Sequence, residues 1–294
     1  MEPAQTVGHV ISSRSPSTTA LWVAWARAVE HRRPDRLFAD DLAAAFLAAA
    51  GAEAGTPPAE FREALPAAVA TRTAFFDEHL RSVTVGGIRQ VVLLGAGLDT
   101  RAFRLPWSAE TSLYELDTPE VLAFKESVLA RQGAAAKCRR TPLAIDLTDD
   151  WPAALCAAGL DPGQPVAWLA EGLLPYLEVE AADRLLTAIG RLSAPGSTLA
   201  LTYNPGALRA LGSAPGGRHL DRVGVAHPAL PGHPEPWLAR HGWQAHAHDL
   251  IHQAVVHRRV PAAAMEHASP GTSTCWLVTA TIPGQQSHPQ RPSR

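Results

Sequence analysis

The chain has 294 residues, of which 46% are hydrophobic and 18% charged, as in ordinary globular proteins. Its 26 basic and 28 acidic residues give a formal net charge of −2, which argues against a nucleic-acid partner, since such proteins carry a basic excess. Three widely spaced cysteines exclude a disulfide framework and favour a reducing compartment. No apolar run reaches the roughly 18 residues of a membrane span, and the N-terminus lacks a signal-peptide pattern. We therefore expect a cytoplasmic protein without a membrane partner.

The N-terminal part of the chain is predicted to be helical. Apolar residues recur at helical spacing over Thr19–Glu30, over Asp35–Ala50 and over Phe61–Val83, and we expect the last helix to bend near Pro66. No strand pattern interrupts them. Residues 1–85 are therefore predicted to form a helical cover.

Short apolar runs, rich in β-branched residues, follow this region. Six of them predict strands: Gln90–Leu94, Ser112–Leu116, Leu143–Ile145, Val166–Leu169, Thr198–Tyr203 and Trp276–Thr281. Helical stretches at Pro119–Arg131 and Glu178–Leu192 lie between them, and this alternation predicts a parallel α/β sheet with crossover connections. A further strand, carrying His246 and His248, is expected at the edge of the sheet. These histidines do not supply three converging ligands, so we expect no metal site.

The whole chain, 1–294, is predicted to be a single domain with its core over 86–282. Residues 204–236 are rich in proline, glycine and histidine without a clear period, and a loop of that length is usually functional. We interpret this segment as a variable insertion on the acceptor side of the site. The tail over 283–294 is rich in proline, glutamine and serine and is expected to be disordered.

The most informative motif is QVVLLGAGLDTRAFRL at 90–105, in which a buried strand leads into Gly95 and Gly97. Glycines at this position let a ligand approach the backbone, and open α/β sheets bind ligands outside the carboxyl ends of their strands. The third glycine of the dinucleotide motif G-x-G-x-x-G is missing, and Asp99 places a negative charge where a pyrophosphate would lie. The pattern favours an adenosine ligand without phosphates, of which S-adenosylmethionine is the common example.

An acidic residue ends the second predicted strand, in the segment LYELDTPE. Asp117 lies 22 positions beyond Gly95, close to the spacing of about 20 residues typical of a carboxylate that binds ribose hydroxyls. Glu115 is the alternative for the same role. The spacing favours Asp117.

The third and fourth predicted strands are also followed by acidic residues. Asp146 is placed to accept a hydrogen bond from an adenine amino group, while the apolar Leu147 covers the ring. Glu171 follows the fourth strand. Single acids often only cap helices, so the prediction depends on their joint placement after successive strands.

Five segments in this order resemble the leucine carboxyl methyltransferase-like family of S-adenosylmethionine-dependent methyltransferases, which includes bacterial and polyketide O-methyltransferases. The segments are ATRTAFFDEHL, VVLLGAGLDTRAFRL, YELDTPEVLAFK, IDLTDDW and WLAEGLLPYL. The resemblance implies an α/β class I methyltransferase fold, a Rossmann-like sheet of seven mostly parallel strands with one antiparallel strand at the edge. It also implies a helical cover over the active site.

The resemblance assigns residues to an S-adenosylmethionine site. Arg72, in the segment R-T-x-x-F-D, is implied to pair with the methionyl carboxylate, and the planar guanidinium suits that role. The other implied contacts are Glu171 at the amino group or sulfonium, Gly95 and Gly97 at the methionine, Asp117 at the ribose, and Asp146 and Leu147 at the adenine. The match fades after Tyr203, so the acceptor pocket is not carried over.

The function expected from these observations is an O-methyltransferase that acts on a carboxylate of a small molecule, of secondary-metabolite or polyketide type. Tyr176 is a candidate on the substrate side and equally a core or rim aromatic residue. His219, His227 and His233 are candidate bases if the acceptor is a phenol instead. The alternative is a methyltransferase-fold protein that keeps the cofactor or acceptor pocket and performs other chemistry.

Overall fold

The computed structural model describes residues 18–51, 55–204, 232–260 and 275–284. The predicted insertion over 204–236 and the predicted disordered tail over 283–294 therefore fall almost wholly outside the described residues.

Within these ranges the chain forms a seven-stranded sheet covered by helices. The strands are β1 Gln90–Leu94, β2 Ser112–Asp117, β3 Arg139–Ala144, β4 Val166–Ala170, β5 Thr198–Tyr203, β6 Gln244–Asp249 and β7 Trp276–Thr281. The helices are α1 Thr18–His31, α2 Asp41–Ala50, α3 Ala64–Val85, α4 Arg101–Arg104, α5 Pro119–Arg131, α6 Trp151–Ala157, α7 Val179–Arg191, α8 Pro234–Arg240 and α9 Leu250–Val256. Two 3-10 turns lie at Ala59–Phe61 and Leu174–Tyr176. Among the described residues, no helix combines the length and apolar character needed to span a bilayer.

The strand order is β3-β2-β1-β4-β5-β7-β6, and strands β1 to β5 run parallel. The predicted α/β fold with a mostly parallel sheet is confirmed. The expected position of the antiparallel strand is wrong, because β7 pairs with both β5 and β6 and so lies inside the sheet. From β1, the next strands in the chain, β2 and β3, lie successively further out on one side of the sheet. From β4, the chain continues outward on the other side. The ends of β1 and β4 therefore flank the point where the strand order reverses, which is where open α/β sheets bind ligands.

Both faces of the sheet are buried, which explains the continuous apolar runs of the sequence. Side chains alternate along β1, so that Val92 and Leu94 pack in one cluster with helices α6, α7 and α8. Val91 and Leu93 face the opposite way and pack against α3, whose Phe76 is fully buried. Helix α3 thereby lies directly against the strands whose carboxyl ends form the site.

Three of the differences from the sequence prediction have a clear physical reason. Helix α2 begins at Asp41 instead of Asp35, because the Asp40 carboxylate accepts a hydrogen bond from the Ala43 amide at 3.2 Å and caps the helix. Helix α3 is not interrupted at Pro66, which lies in its first turn, where the missing amide is not needed. Strand β3 extends back to Arg139 and contains Pro142, which an edge strand tolerates.

Helix α3 also carries a buried titratable group. His79 is partly buried, and among the described residues its Nε2 atom has no hydrogen-bond partner. Burial lowers the pKa of His79 to about 4, because the imidazolium would lose its hydration. The folded protein therefore keeps this side chain neutral in mildly acidic solution.

We expect His79 to make the free energy of unfolding fall as the pH falls from about 6.5 to about 4. In that window the unfolded chain binds a proton that the folded chain does not, and the loss reaches roughly 3 kcal/mol at the acidic end. Urea denaturation of His79→Gln should show a flatter pH dependence than the wild type. His252→Gln, at an exposed position, should keep the wild-type slope. Equal slopes for wild type and His79→Gln would contradict this assignment.

Candidate functional site

A cavity of about 630 Å³ lies at the carboxyl ends of the parallel strands, and helix α1 and the turn at Ala59–Phe61 contribute to its wall. This volume lies in the range of small-molecule sites, about 300–1,000 Å³. The seven residues that the resemblance assigned to the cofactor, together with the substrate-side candidate Tyr176, all line it: Arg72, Gly95, Gly97, Asp117, Asp146, Leu147, Glu171 and Tyr176. Residues that are far apart in the sequence are thus brought to one surface by the parallel sheet.

The order of the strands sets the order of these residues along the cavity. Asp146 follows β3, Asp117 ends β2, Gly95 follows β1 and Glu171 follows β4. Neighbouring strands lie about 4.8 Å apart, so these residues span roughly 14 Å. The cavity therefore presents an elongated row of polar groups rather than a single point.

The glycine loop after β1 depends on backbone conformations that other residues rarely adopt. Gly95 has φ 62° and Gly97 has φ 49°, both in the left-handed region. A Cβ on Gly95 would lie 3.0 Å from Leu173 Cδ1. The loop is also fixed from outside, because the Gly97 amide donates a hydrogen bond of 2.6 Å to Asp117 Oδ2.

Asp117 is held in a fixed orientation at the end of β2. Its Oδ1 accepts a second backbone hydrogen bond, from Thr118, at 2.7 Å. Burial raises the pKa of Asp117, and the two backbone donors, which favour the carboxylate, offset only part of that rise. Its remaining lone pairs are available to hydroxyl groups of a ligand in the cavity.

Glu115, the alternative to Asp117, is occupied elsewhere. Its side chain is fully buried, accepts hydrogen bonds from Lys125 at 2.6 Å and Arg140 at 2.7 Å, and is not among the residues that line the cavity. Of the two carboxylates, only Asp117 is placed to meet a ligand there.

The end of the cavity beyond β3 combines a carboxylate with apolar side chains. Asp146 is exposed, and its Oδ1 accepts hydrogen bonds of 2.8 Å from both the amide and the hydroxyl of Thr148. Leu147 and Ile145 flank it in the cavity wall. This combination suits a flat ring with an amino substituent.

The opposite end is dominated by an ion pair between helix α3 and the end of β4. The Arg72 Nε atom lies 2.9 Å from Glu171 Oε1, and Arg101 Nη2 lies 2.8 Å from Glu171 Oε2. Both oxygens of Glu171 are therefore paired within the protein, and each keeps acceptor capacity for a further donor in the cavity. Arg72 still lines the cavity, and among the described residues its Nη1 and Nη2 atoms have no hydrogen-bond partner.

Arg101 is the residue that sequence reasoning missed. Its side chain is only 1% exposed, and it contacts Asp77 Oδ1 at 2.7 Å as well as the Asp99 carboxylate. The Asp99 charge is therefore neutralised inside the protein and does not stand free at a phosphate position, as the sequence suggested. Burial alone would raise the pKa of Asp99, but Arg101 and other nearby cations lower it to about 2. In the sequence, the only sign of this network was the presence of charged residues in two segments. R-T-x-x-F-D contains Asp77, and L-D-T-R contains Asp99 and Arg101.

The helical cover is bonded to the glycine loop. Arg27 of α1 donates a hydrogen bond to the Leu98 carbonyl and pairs with Asp40 Oδ2 at 3.0 Å. Thr100 donates from its hydroxyl to the same Asp40 oxygen at 2.9 Å. Helices α1 and α2 are thus held against the loop that follows β1.

Tyr176 lies on the rim of the cavity rather than in the core. It is 37% exposed, lines the cavity and donates a hydrogen bond from its hydroxyl to Thr19 Oγ1 of helix α1. Burial of the phenol raises the pKa of Tyr176 above its ordinary value, so the side chain stays protonated near neutral pH. It therefore cannot act as a base there without first losing its proton.

The candidate histidine bases are not placed at the cavity by the described residues. His219 and His227 lie outside the described residues, while His233 is about half exposed, lies 3.8 Å from Glu235 and is absent from the lining. Over the described part of the chain, no group of three or more histidine, cysteine or acidic residues is placed to hold a metal ion.

We expect Arg101→Met to lower the free energy of unfolding by about 3–5 kcal/mol, because buried carboxylates lose the cation that compensates them. Urea denaturation near neutral pH measures the loss. Arg81→Met is the matched control, since Arg81 pairs with Glu78 on the same side of the sheet but both side chains are exposed, 49% and 74%. That change should cost less than about 1 kcal/mol. Similar losses for the two variants would show that the Arg101 network is not what stabilises this region.

Comparison with known proteins identifies the family. The family model of leucine carboxyl methyltransferases matches residues 20–190, more than half of the chain. A protein of Parafrankia sp. with the name "Putative S-adenosyl-L-methionine-dependent methyltransferase" is 46% identical over 267 residues, which cover 87% of this chain and 86% of that one. A protein of the same name from Streptomyces coelicolor is 44% identical over 259 residues, covering 85% and 90%.

Solved structures support the fold. A DUF574 family protein from Streptomyces avermitilis superposes with a TM-score of 0.58 at 16% identity and covers 91% of this chain and 98% of that one. A "putative methyltransferase" from Thermobifida fusca superposes with a TM-score of 0.55 at 16% identity, covering 96% and 100%. The chain belongs to the leucine carboxyl methyltransferase family and is an S-adenosylmethionine-dependent methyltransferase.

Proposed function

We propose that this methyltransferase acts on a carboxylate oxygen of a small molecule, of the secondary-metabolite or polyketide type. The composition of the cavity carries the proposal. Its described lining contains arginines, carboxylates and the protonated Tyr176, and no histidine, lysine or cysteine. A carboxylate is already ionised above its pKa of about 4 and needs no base, whereas a phenol must lose a proton.

The row of residues along the strand ends fits S-adenosylmethionine. The Nη atoms of Arg72, which have no hydrogen-bond partner among the described residues, suit the methionyl carboxylate, because guanidinium and carboxylate form strong, planar hydrogen-bonded pairs. Asp117 suits the ribose hydroxyls, and Asp146 with Leu147 suits the adenine. Glu171 acts through Arg72, whose side chain it orients by the 2.9 Å ion pair.

The reaction requires little from the protein beyond the alignment of the two reactants. When bound, S-adenosylmethionine supplies the methyl group: its S–CH3 bond breaks as the carboxylate O–CH3 bond forms, leaving a neutral thioether and a neutral ester with no proton to remove. The residues of the chain hold the two reactants in line and exclude water.

The helical cover over the site supports a small acceptor. Helix α1 contributes Thr19, Ala20, Trp22 and Val23 to the cavity wall, and the bond from Tyr176 to Thr19 joins that helix to the core at the rim. A cavity of about 630 Å³ under such a cover suits a small molecule better than the terminus of a folded protein.

We expect Arg72→Ala to weaken the binding of both S-adenosylmethionine and S-adenosylhomocysteine by about 2–3 kcal/mol, or roughly 30–150-fold. Both ligands carry the carboxylate that would lose its partner. Glu171 keeps its contact with Arg101, so the fold should persist, as circular dichroism can verify. Calorimetric titration measures the affinities, with the exposed Arg81→Ala on the same helix as control. Unchanged affinity in Arg72→Ala would remove Arg72 from the cofactor site.

Transfer of a labelled methyl group to matched acids and phenols, followed by mass spectrometry, tests the proposed acceptor chemistry. We expect methyl esters of acids, at a rate that is flat from about pH 6 to 8 because the carboxylate stays ionised. His233→Gln should leave that rate unchanged. Aryl methyl ethers, formed at a rate that rises with pH and drops about 10²–10⁴-fold on loss of one histidine, would contradict a carboxylate acceptor. Binding of S-adenosylmethionine without transfer to either class would instead support the non-methylating alternative.

A further inference from the structure

The cavity continues beyond the residues assigned to the cofactor. Those residues follow β3, β2, β1 and β4, and β5 is the next strand in the sheet. Thr202 near the end of β5 and Asn204 just after it both line the cavity. The sequence analysis gave neither residue a role, since the family resemblance fades at Tyr203.

These two residues present polar atoms without partners. Thr202 is 2% exposed, and its Oγ1 atom has no hydrogen-bond partner among the described residues. The Oδ1 atom of Asn204 is likewise buried and, within the same ranges, unpartnered. Burial of such atoms without hydrogen bonds is costly, so a ligand that forms hydrogen bonds with them gains affinity.

The end of β5 is held firmly in this position. Tyr203, between the two, is fully buried on the opposite face and packs against Trp237 and Trp276, with ring centroids 5.6 and 6.0 Å apart. Because side chains alternate along a strand, this packing directs Thr202 towards the α3 side of the sheet. Asn204 follows with the same alternation and shares the cavity lining.

Much of the remaining cavity wall is apolar. Trp22 and Phe61 stack at a centroid distance of 5.5 Å, and both line the cavity together with Leu65 and Leu169. Such walls favour a ligand whose body is a ring or an aliphatic chain.

We propose that Thr202 and Asn204 bind a hydroxyl group of the methyl acceptor, which is a hydroxylated carboxylic acid with an apolar body. The inference rests on the proposed function and names its substrate class. Asn204 Oδ1 can only accept a hydrogen bond, while Thr202 Oγ1 can donate or accept. A carboxylate has no hydrogen to offer Asn204. The Thr202 hydroxyl hydrogen lacks an acceptor among the described residues, and an amide N–H, which only donates, does not supply one. One hydroxyl oxygen satisfies both, by donating to Asn204 and accepting from Thr202.

The spacing allows this bridge. Residues two apart in an extended chain lie about 6.6 Å apart at their Cα atoms, and one oxygen with two hydrogen bonds of about 2.8 Å spans up to roughly 5.6 Å between its partners. The side chains of Thr202 and Asn204 can cover the difference between this Cα separation and the span of the two hydrogen bonds.

Binding of matched acids to the S-adenosylhomocysteine complex tests the proposal. The probes are benzoate against its three monohydroxy isomers, and hexanoate against its 2- and 3-hydroxy derivatives, titrated by calorimetry. We expect at least one hydroxy acid to bind about tenfold or more tightly than its parent acid, because the parent leaves the two polar atoms unsatisfied. Thr202→Val and Asn204→Leu, which keep the shape of each side chain, should abolish that preference.

Thr198→Val is the matched control. Thr198 begins the same strand, is 6% exposed, and its Oγ1 also lacks a partner among the described residues, but it does not line the cavity. This variant should keep the preference for the hydroxy acid. The proposal is overturned if the wild type shows no such preference, if Asn204→Leu retains it, or if Asn204→Leu lowers the affinity for S-adenosylhomocysteine itself. Failure of the proposed function gives a different result, namely hydroxyl-dependent binding without formation of a methyl ester.

Discussion

The site depends on the ion pairs that the buried guanidinium of Arg101 makes. It contacts Asp77 of α3, Asp99 of the loop after β1 and Glu171 after β4. These three segments are distant in the sequence, and each contributes residues to the lining of the cavity. Charges this deeply buried are tolerated only as a complete set, because removal of one leaves the others uncompensated. The network thus fixes the relative positions of the segments and, through Glu171, the orientation of Arg72.

The helical cover extends this arrangement from the sheet to the cavity wall. Arg27 and Asp40 bind the backbone and the hydroxyl of the loop after β1, so α1 and α2 are fixed to the same segment that carries Gly95 and Gly97. When a ligand fills the cavity, this cover reduces the access of water to it, and charges attract more strongly as water is removed. The structure thereby links the stability of the cover to the chemistry expected beneath it.

Strands with both faces buried are among the elements that the sequence predicted best. The bounds of β1 and β5 were read correctly because a strand in the middle of a parallel sheet is a continuous apolar run. Asp117 was identified because a carboxylate at a strand end lies at the one edge where ligands bind. The start of β3 at Arg139 was missed, since an edge strand carries charges and a proline instead of an apolar run.

The sequence pattern did not predict which side chains from distant segments pair with each other. Arg101 lies on a four-residue helix and reads as a surface arginine, yet its partners come from three separate segments. Thr202 gave no signal either, because a threonine in a strand is ordinary, and only its lack of a hydrogen-bond partner within the described ranges distinguishes it. Such features depend on which segments meet in space, and local periodicity does not contain that information.

Amide hydrogen exchange, measured with and without S-adenosylhomocysteine, tests most directly whether the strand-end cavity is the cofactor site. Bound ligand should slow exchange over residues 95–100, around Asp117 and Thr118, and over 171–173. Helix α6, on the opposite face of the sheet, should be unaffected. Unchanged exchange in the three cavity segments, or protection confined to α6 or the β6 edge, would contradict the placement of the cofactor.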